Sequence, residues 1–165
     1  MVTAIIAALV IPWAAPVSFA ESAPDWHVGQ SGTVKTTVLG GRVAHSTAWT
    51  ANFKYRDRAT ADPPNATLRR IPLDGIVVWV SIQPRLGWPP DGRRTSKRLL
   101  LADAYRFRCC EGADVRGGEW EIYGWGPRRA YSVLVRIYFG SAPTRAMKAQ
   151  AQRALDRVRL PRARD

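Results

Sequence analysis

The chain has two cysteines, and they are adjacent, Cys109-Cys110. A disulfide normally joins Cα atoms roughly 4.4–6.8 Å apart, whereas consecutive residues stand about 3.8 Å apart, so a bond between these two is strained. The residue types favour two reduced or capped thiols at a strand end. An intermolecular disulfide, a strained redox pair and half of a metal site stay open behind that arrangement. The metal is the weakest of them, because zinc sites use spaced ligands such as C-x-x-C, and the only histidines are His27 and His45. His45-Ser46 sets an imidazole beside a hydroxyl, yet there is no Gly-x-Ser-x-Gly elbow and no acid spaced to orient the ring. A half-exposed strand histidine fits better. A hydrolase would have to use Asp74 or Asp103 as its base, and a thiol oxidoreductase would use Cys109 and Cys110. Paired carboxylates at recognisable spacing, histidine-metal spacing and phosphate-cradling glycine motifs are all missing from the sequence, so the expectation is a chain without catalysis and without a cofactor.

Binding chemistry has the stronger candidates. In the loop Gln83 to Lys97, the run Pro84-Arg85-Leu86-Gly87-Trp88-Pro89-Pro90-Asp91-Gly92-Arg93-Arg94 stiffens an aromatic with prolines and surrounds it with bases. An exposed Trp beside Arg can stack on a sugar or base, or sit at a lipid headgroup surface. Arg85, Trp88, Arg93 and Arg94, joined by Arg128 and Arg129 of the segment Gly124 to Arg129, form the candidate patch. In the competing arrangement Trp88 folds back over the core beneath a solvated basic loop, and the residue types alone favour that arrangement.

The overall charge agrees with an anionic partner without requiring one. The chain of 165 residues carries 25 bases against 13 acids, a net charge of +12. Arg accounts for 21 of those bases, and only residues Lys35, Lys54, Lys97 and Lys148 are lysine. Arg is the better fork for phosphates and carboxylates. A GC-rich genome also raises Arg against Lys, and net charge bears on association more than on fold. The partners that fit are a phospholipid, an acidic glycan or a nucleic acid, or else an envelope protein.

These residues need a scaffold, and the clearest part of it is Tyr131 to Leu160. Tyr131, Val133, Val135, Ile137 and Phe139 alternate with Ser132, Leu134, Arg136 and Tyr138, the period of a strand with one buried face. Gly140-Ser141-Ala142-Pro143 breaks it. Ser141 is the expected N-cap of a following helix, with Pro143 in its first turn. Met147, Ala151, Ala154, Leu155 and Val158 line one side of that helix, and Pro161 ends it. Ile76 to Ile82 is apolar on both faces until Ser81, as in a central strand. Thr33 to Leu39 and Val43 to Phe53 form two strands about Gly40-Gly41. Tyr105-Arg106-Phe107-Arg108 places rings and bases on opposite faces, and Glu119-Trp120-Glu121-Ile122 turns Trp120 and Ile122 inward. Glu119 and Glu121 can then meet Arg106, Arg108 or Arg136 across neighbouring strands. The expected class is α+β: an antiparallel sheet of about five to seven strands with a C-terminal helix packed on one face.

Residues 1–20 are uncharged in every side chain, and Ala4 to Trp13 is an apolar run. Ser18-Phe19-Ala20 resembles a secretory cleavage site, although no Lys or Arg precedes the run. The organisation expected is therefore 1–20 signal peptide or N-terminal membrane anchor, 21–31 linker and 32–161 single α+β domain. Export or membrane tethering follows in either of these cases, and a buried N-terminal strand or helix is the third alternative. Asn65-Ala66-Thr67 is a formal glycosylation sequon, relevant only in a host with that machinery.

The succession of antiparallel strands, Asp74-Gly75 before Ile76 to Ile82, and Tyr131 to Gly140 with the Ala-rich terminal helix resembles small exported bacterial domains of the PsbP-like kind over residues 71–160. That resemblance implies an α+β sandwich closed by its last strand and helix, and a non-enzymatic accessory or binding role. It transfers no functional residue.

Overall fold

The computed structural model describes residues 17–20, 25–38, 41–55, 68–84, 98–107, 115–126 and 131–161, and over residues 30–45 it describes the backbone alone. The period-two segments become β2 (His27–Val38), β3 (Gly41–Ala51), β4 (Ile76–Pro84), β5 (Tyr105–Phe107), β6 (Glu119–Trp125) and β7 (Tyr131–Phe139). They form one six-stranded sheet in the order β2-β3-β4-β7-β6-β5, every neighbouring pair antiparallel. The doubly apolar β4 and the alternating β7 lie at its centre. A second, two-stranded sheet pairs β1 (Ser18–Phe19) with β8 (Val158–Arg159). The helix α1 (Arg145–Leu155) lies between β7 and β8 in the chain. The class is α+β, with one helix at the C-terminal end of an antiparallel sheet.

Alternation along each strand sorts the side chains into two faces. One face is aliphatic and takes the helix. Ala48, Val80, Val135 and Ile122 are register partners across β3, β4, β7 and β6. Met147, Ala151, Ala154 and Leu155 of α1 share their core cluster. Each large aliphatic side chain buried there contributes about 1.5–3 kcal/mol, so this layer alone supplies most of the force that holds the helix on the sheet. The other face is aromatic and polar. Trp49, Ala51, Val77, Trp79 and Tyr138 project from the sheet, and Tyr55, Leu68, Ile71 and Val115 cover them.

The helix begins later and ends earlier than the sequence predicts. Thr144 is the N-cap, its hydroxyl accepting from Met147 N at 3.2 Å, which leaves Pro143 just outside the first turn. Thr144 stands three residues before Met147, the spacing over which an N-cap hydroxyl accepts the N–H of the third helical residue. The chain leaves the helix at Asp156, and Val158 pairs with Phe19 as strand instead of extending the apolar stripe.

The N-terminal part of the described chain is built into the domain. Val17 is fully buried in the aliphatic core, and its N–H donates to Ser46 Oγ at 3.1 Å. Ala20 N donates to Arg157 O at 2.8 Å. β2 starts at His27, inside the stretch expected to be a linker.

Two close approaches fix the sheet locally. Gly29 is the register partner of Trp49, and a Cβ on Gly29 would overlap the indole, so the ring lies across the bare backbone of the edge strand. Gly140 donates its N–H to Gly75 O at 2.9 Å, where any side chain would run into the Pro72 carbonyl. That contact joins the end of β7 to the turn before β4.

Candidate functional site

A row of polar and aromatic side chains crosses the second face of the sheet. In register it runs Gly29, Trp49, Trp79, Arg136, Glu121, Tyr105. Strand pairing puts directly opposed side chains about 4.5–5.5 Å apart at Cβ, close enough for each to touch the next. Arg136 Cζ lies 5.8 Å from the centroid of the Trp79 ring. Its Nε stands 2.9 Å from Glu121 Oε1 and 3.1 Å from Glu119 Oε1. Tyr105 OH donates to Glu121 Oε2 at 2.9 Å, and Tyr138 OH donates to Glu119 Oε1 at 3.3 Å.

The sequence expectation that Glu119 and Glu121 meet a strand arginine is met by Arg136. What the alternation missed is their burial, with Glu119 8% and Glu121 4% exposed. They point away from Trp120 and Ile122, but that second face is itself covered. Two carboxylates around one guanidinium leave an excess negative charge, and burial pushes the Glu119 carboxyl above its ordinary value, with Arg136 pulling it down and Glu121 pushing it up. Tyr105 is pushed up to about 12, by burial first and then by its bond to Glu121. The arrangement orders three strands, since the β6 carboxylates bond Arg136 and Tyr138 of β7 and Tyr105 of β5.

The helix side presents the opposite electrostatics. α1 has no acid among its eleven residues, and Arg145, Lys148 and Arg153 are exposed on it. Arg157 and Arg159 follow, half-buried and exposed. The one acid of this stretch, Asp156, lies beneath the Arg98 guanidinium, with Nε to Oδ1 2.8 Å and Nη2 to Oδ2 3.0 Å. That two-pronged bond, aided by Gln152, holds the Asp156 carboxyl below its usual range. Lys148 Nζ stands 5.9 Å from the Trp120 ring centroid, which ties the start of the basic surface to β6. From Thr144 to Pro161 five bases (Arg145, Lys148, Arg153, Arg157, Arg159) face one acid, and Arg98 adds a sixth base.

The candidates singled out from sequence, Arg85, Trp88, Arg93, Arg94, Arg128, Arg129, Cys109 and Cys110, lie outside the described residues, as does Asn65. Their anchoring points are described. Residue 85 follows Pro84, the register partner of Tyr131, and residues 127–130 lie between Gly126 and Tyr131, so both stretches leave the sheet at one end. The Tyr131 hydroxyl donates to Pro161 O at 2.6 Å, bringing the chain beyond β8 to that same end. Cys109 and Cys110 follow β5, whose Phe107 pairs with Glu119 at the opposite end. Ser46 spends its hydroxyl on Val17 N. Asp74 is exposed in the turn before β4, and Asp103 is exposed in the 3-10 turn Leu101–Asp103. Among the described residues no group of three or more His, Cys, Asp or Glu is placed to hold a metal ion. Among them, too, no helix is long and apolar enough to cross a membrane.

The basic helix surface was missed from sequence because its bases are spread singly, at 145, 148, 153, 157 and 159. The signal that could have found it is the lack of any acid on the outward side of an otherwise regular amphipathic helix. No protein-family model, curated protein or solved structure matches this chain.

Proposed function

We propose that this chain is a non-catalytic binding domain, exported or membrane-tethered, whose basic surface meets an anionic partner. The observation that carries this reading is the imbalance along residues 144–161, where Arg145, Lys148, Arg153, Arg157 and Arg159 stand against one acid, Asp156, that Arg98 already pairs. The acids of the second face are engaged inside the sheet by Arg136, so they do not offset that surface. Asp74 and Asp103 sit on separate exposed turns, so the two carboxylates do not form a pair. The resemblance to PsbP-like domains points the same way, toward an accessory role. The partner classes are phospholipid, acidic glycan and nucleic acid, with an envelope protein bearing an acidic patch as the fourth.

A salt series tests it. Neutralising several phosphates by Arg and Lys makes affinity fall steeply with salt, by about 10³–10⁵ between roughly 50 and 200 mM for 6–10 contacts on DNA. The chain is expected to bind heparin, duplex DNA or phosphatidylglycerol vesicles at low salt and to release as salt rises. Failure to bind any of the three at low salt overturns the proposal.

A further inference from the structure

We propose that the α1–β8 surface docks on anionic phospholipid headgroups beside Val17, where the described N-terminal segment begins. This rests on the reading of the chain as an anion-binding domain and names which anion it meets.

The strand register carries the argument. Ser18 is the partner of Arg159, Phe19 is the partner of Val158, and Ala20 N is bonded to Arg157 O at 2.8 Å. The start of the described chain is therefore fastened to the basic strand itself. Val17, immediately before it, is locked by full burial and by its bond to Ser46. In sequence, Ala4 to Trp13 is apolar and uncharged, and only Ala14, Ala15 and Pro16 separate it from Val17. Four residue steps reach at most ~14 Å when fully extended. Chain length alone thus ties Trp13 to within about that distance of Val17, and the strand that pairs with Ser18 and Phe19 carries Arg159, with Arg157 just before it.

An apolar segment and a basic surface held this close fit a bilayer better than a soluble polyanion. The apolar run supplies burial in the acyl region. The bases supply attraction to anionic headgroups, about 1 kcal/mol each near the surface and lost beyond a Debye length. Stable attachment generally takes two such signals acting together. A duplex or a glycan would use the bases and leave the apolar run without a role. Exposed Arg145 and Arg153 stand on the outward side of α1, whose inward side is buried by Met147, Ala151, Ala154 and Leu155, so the helix can present them to a surface without unpacking.

The test is flotation of the full chain with pure phosphatidylcholine vesicles and with mixed phosphatidylcholine–phosphatidylglycerol vesicles, with heparin and duplex DNA binding measured in parallel. Two double variants lose the same charge from different faces. Arg145→Gln with Arg153→Gln depletes the helix surface. Arg69→Gln with Arg70→Gln depletes the exposed turn between Leu68 and Ile71, which pack on the opposite face of the sheet. The expected result is stronger binding to mixed than to pure phosphatidylcholine vesicles, weakened about 10- to 30-fold by the helix pair and unchanged by the turn pair. A second pair, Arg157→Gln with Arg159→Gln, is expected to behave like the helix pair, and thermal melts verify that each variant is folded. Equal loss from both faces, equal binding to the two vesicle types, or binding to heparin or DNA without binding to vesicles overturns the lipid proposal while leaving the anion-binding reading standing. Absence of binding to every anion overturns both.

Discussion

Arg136 Nε stands 2.9 Å from Glu121 Oε1 in the middle of the sheet, on a register pair shared by β6 and β7. The same nitrogen serves Glu119 at 3.1 Å, so one guanidinium is shared by two buried carboxylates. Removing one member of a buried ion pair typically costs about 3–5 kcal/mol, because the remaining charge is left without compensation. Arg136→Met is therefore expected to lower unfolding stability by about that amount in urea titration. Adding Glu119→Gln and Glu121→Gln to the same chain is expected to recover a large part of the loss. A single variant as stable as the parent would show that the carboxylates do not depend on Arg136.

Glu119 gives the molecule a pH dependence of definite sign. Burial raises its carboxyl above the ordinary value of 4.5, so the folded state holds the proton more tightly than the unfolded state. The associated stability is fully present below that ordinary value and is lost as pH rises through the raised folded value. Glu119→Gln imitates the protonated form. Its stability is expected to change less than the parent's across this window, in chemical denaturation repeated from acid to neutral pH. A parent curve that gains stability over that window through Glu119 would reverse the assignment.

Tyr131 acts at the alkaline end. Burial pushes its phenol from 10.0 up to about 12, while its hydroxyl donates to Pro161 O at 2.6 Å. The folded state favours the neutral phenol. Its contribution is present below the ordinary tyrosine value and disappears as pH rises from there through about 12. Tyr131→Phe is expected to cost about 1 kcal/mol near neutrality. The same variant should show a shallower alkaline loss of stability, with Tyr105 and Tyr123, both raised by burial, contributing to the remainder. An unchanged alkaline limb would mean that burial does not raise the Tyr131 phenol.

Val135 tests the assignment of the strand faces. It is fully buried between Val80 and Ile122 on the helix side of the sheet. Val135→Asp places an unpaired carboxylate there, far costlier than the apolar contacts it replaces. Loss of the cooperative thermal transition is expected. A variant melting like the parent would mean that β7 presents its other face to the helix.

Much of the scaffold was legible because period-two alternation leaves few choices of face. Tyr131 to Phe139 and Ile76 to Ile82 announced the two central strands, and Met147, Ala151, Ala154 and Leu155 announced the buried side of α1. The helix ends were less legible, since Ser141 and Thr144 are both good caps and only the fold decides which hydroxyl reaches Met147 N. Val158 satisfies a helical stripe as well as a strand, and its pairing with Phe19 depends on a segment far away in sequence. The second face was hidden for a related reason. Alternation shows that Glu119 and Glu121 oppose Trp120 and Ile122, yet it cannot show that Tyr55, Leu68, Ile71 and Val115 cover that face, because those residues come from separate loops. The candidate surface was hidden in the same way, since Arg98 and Arg159 meet the helix only after the chain has folded.

Amide hydrogen exchange of the full chain, with and without phosphatidylglycerol-containing vesicles, reads the binding surface directly. The account predicts added protection concentrated in α1 (Arg145–Leu155) and β8 (Val158–Arg159), with Arg69 and Arg70 and the turn around them unchanged. Protection confined to other segments, or no change at vesicle concentrations that bind the chain, would contradict it.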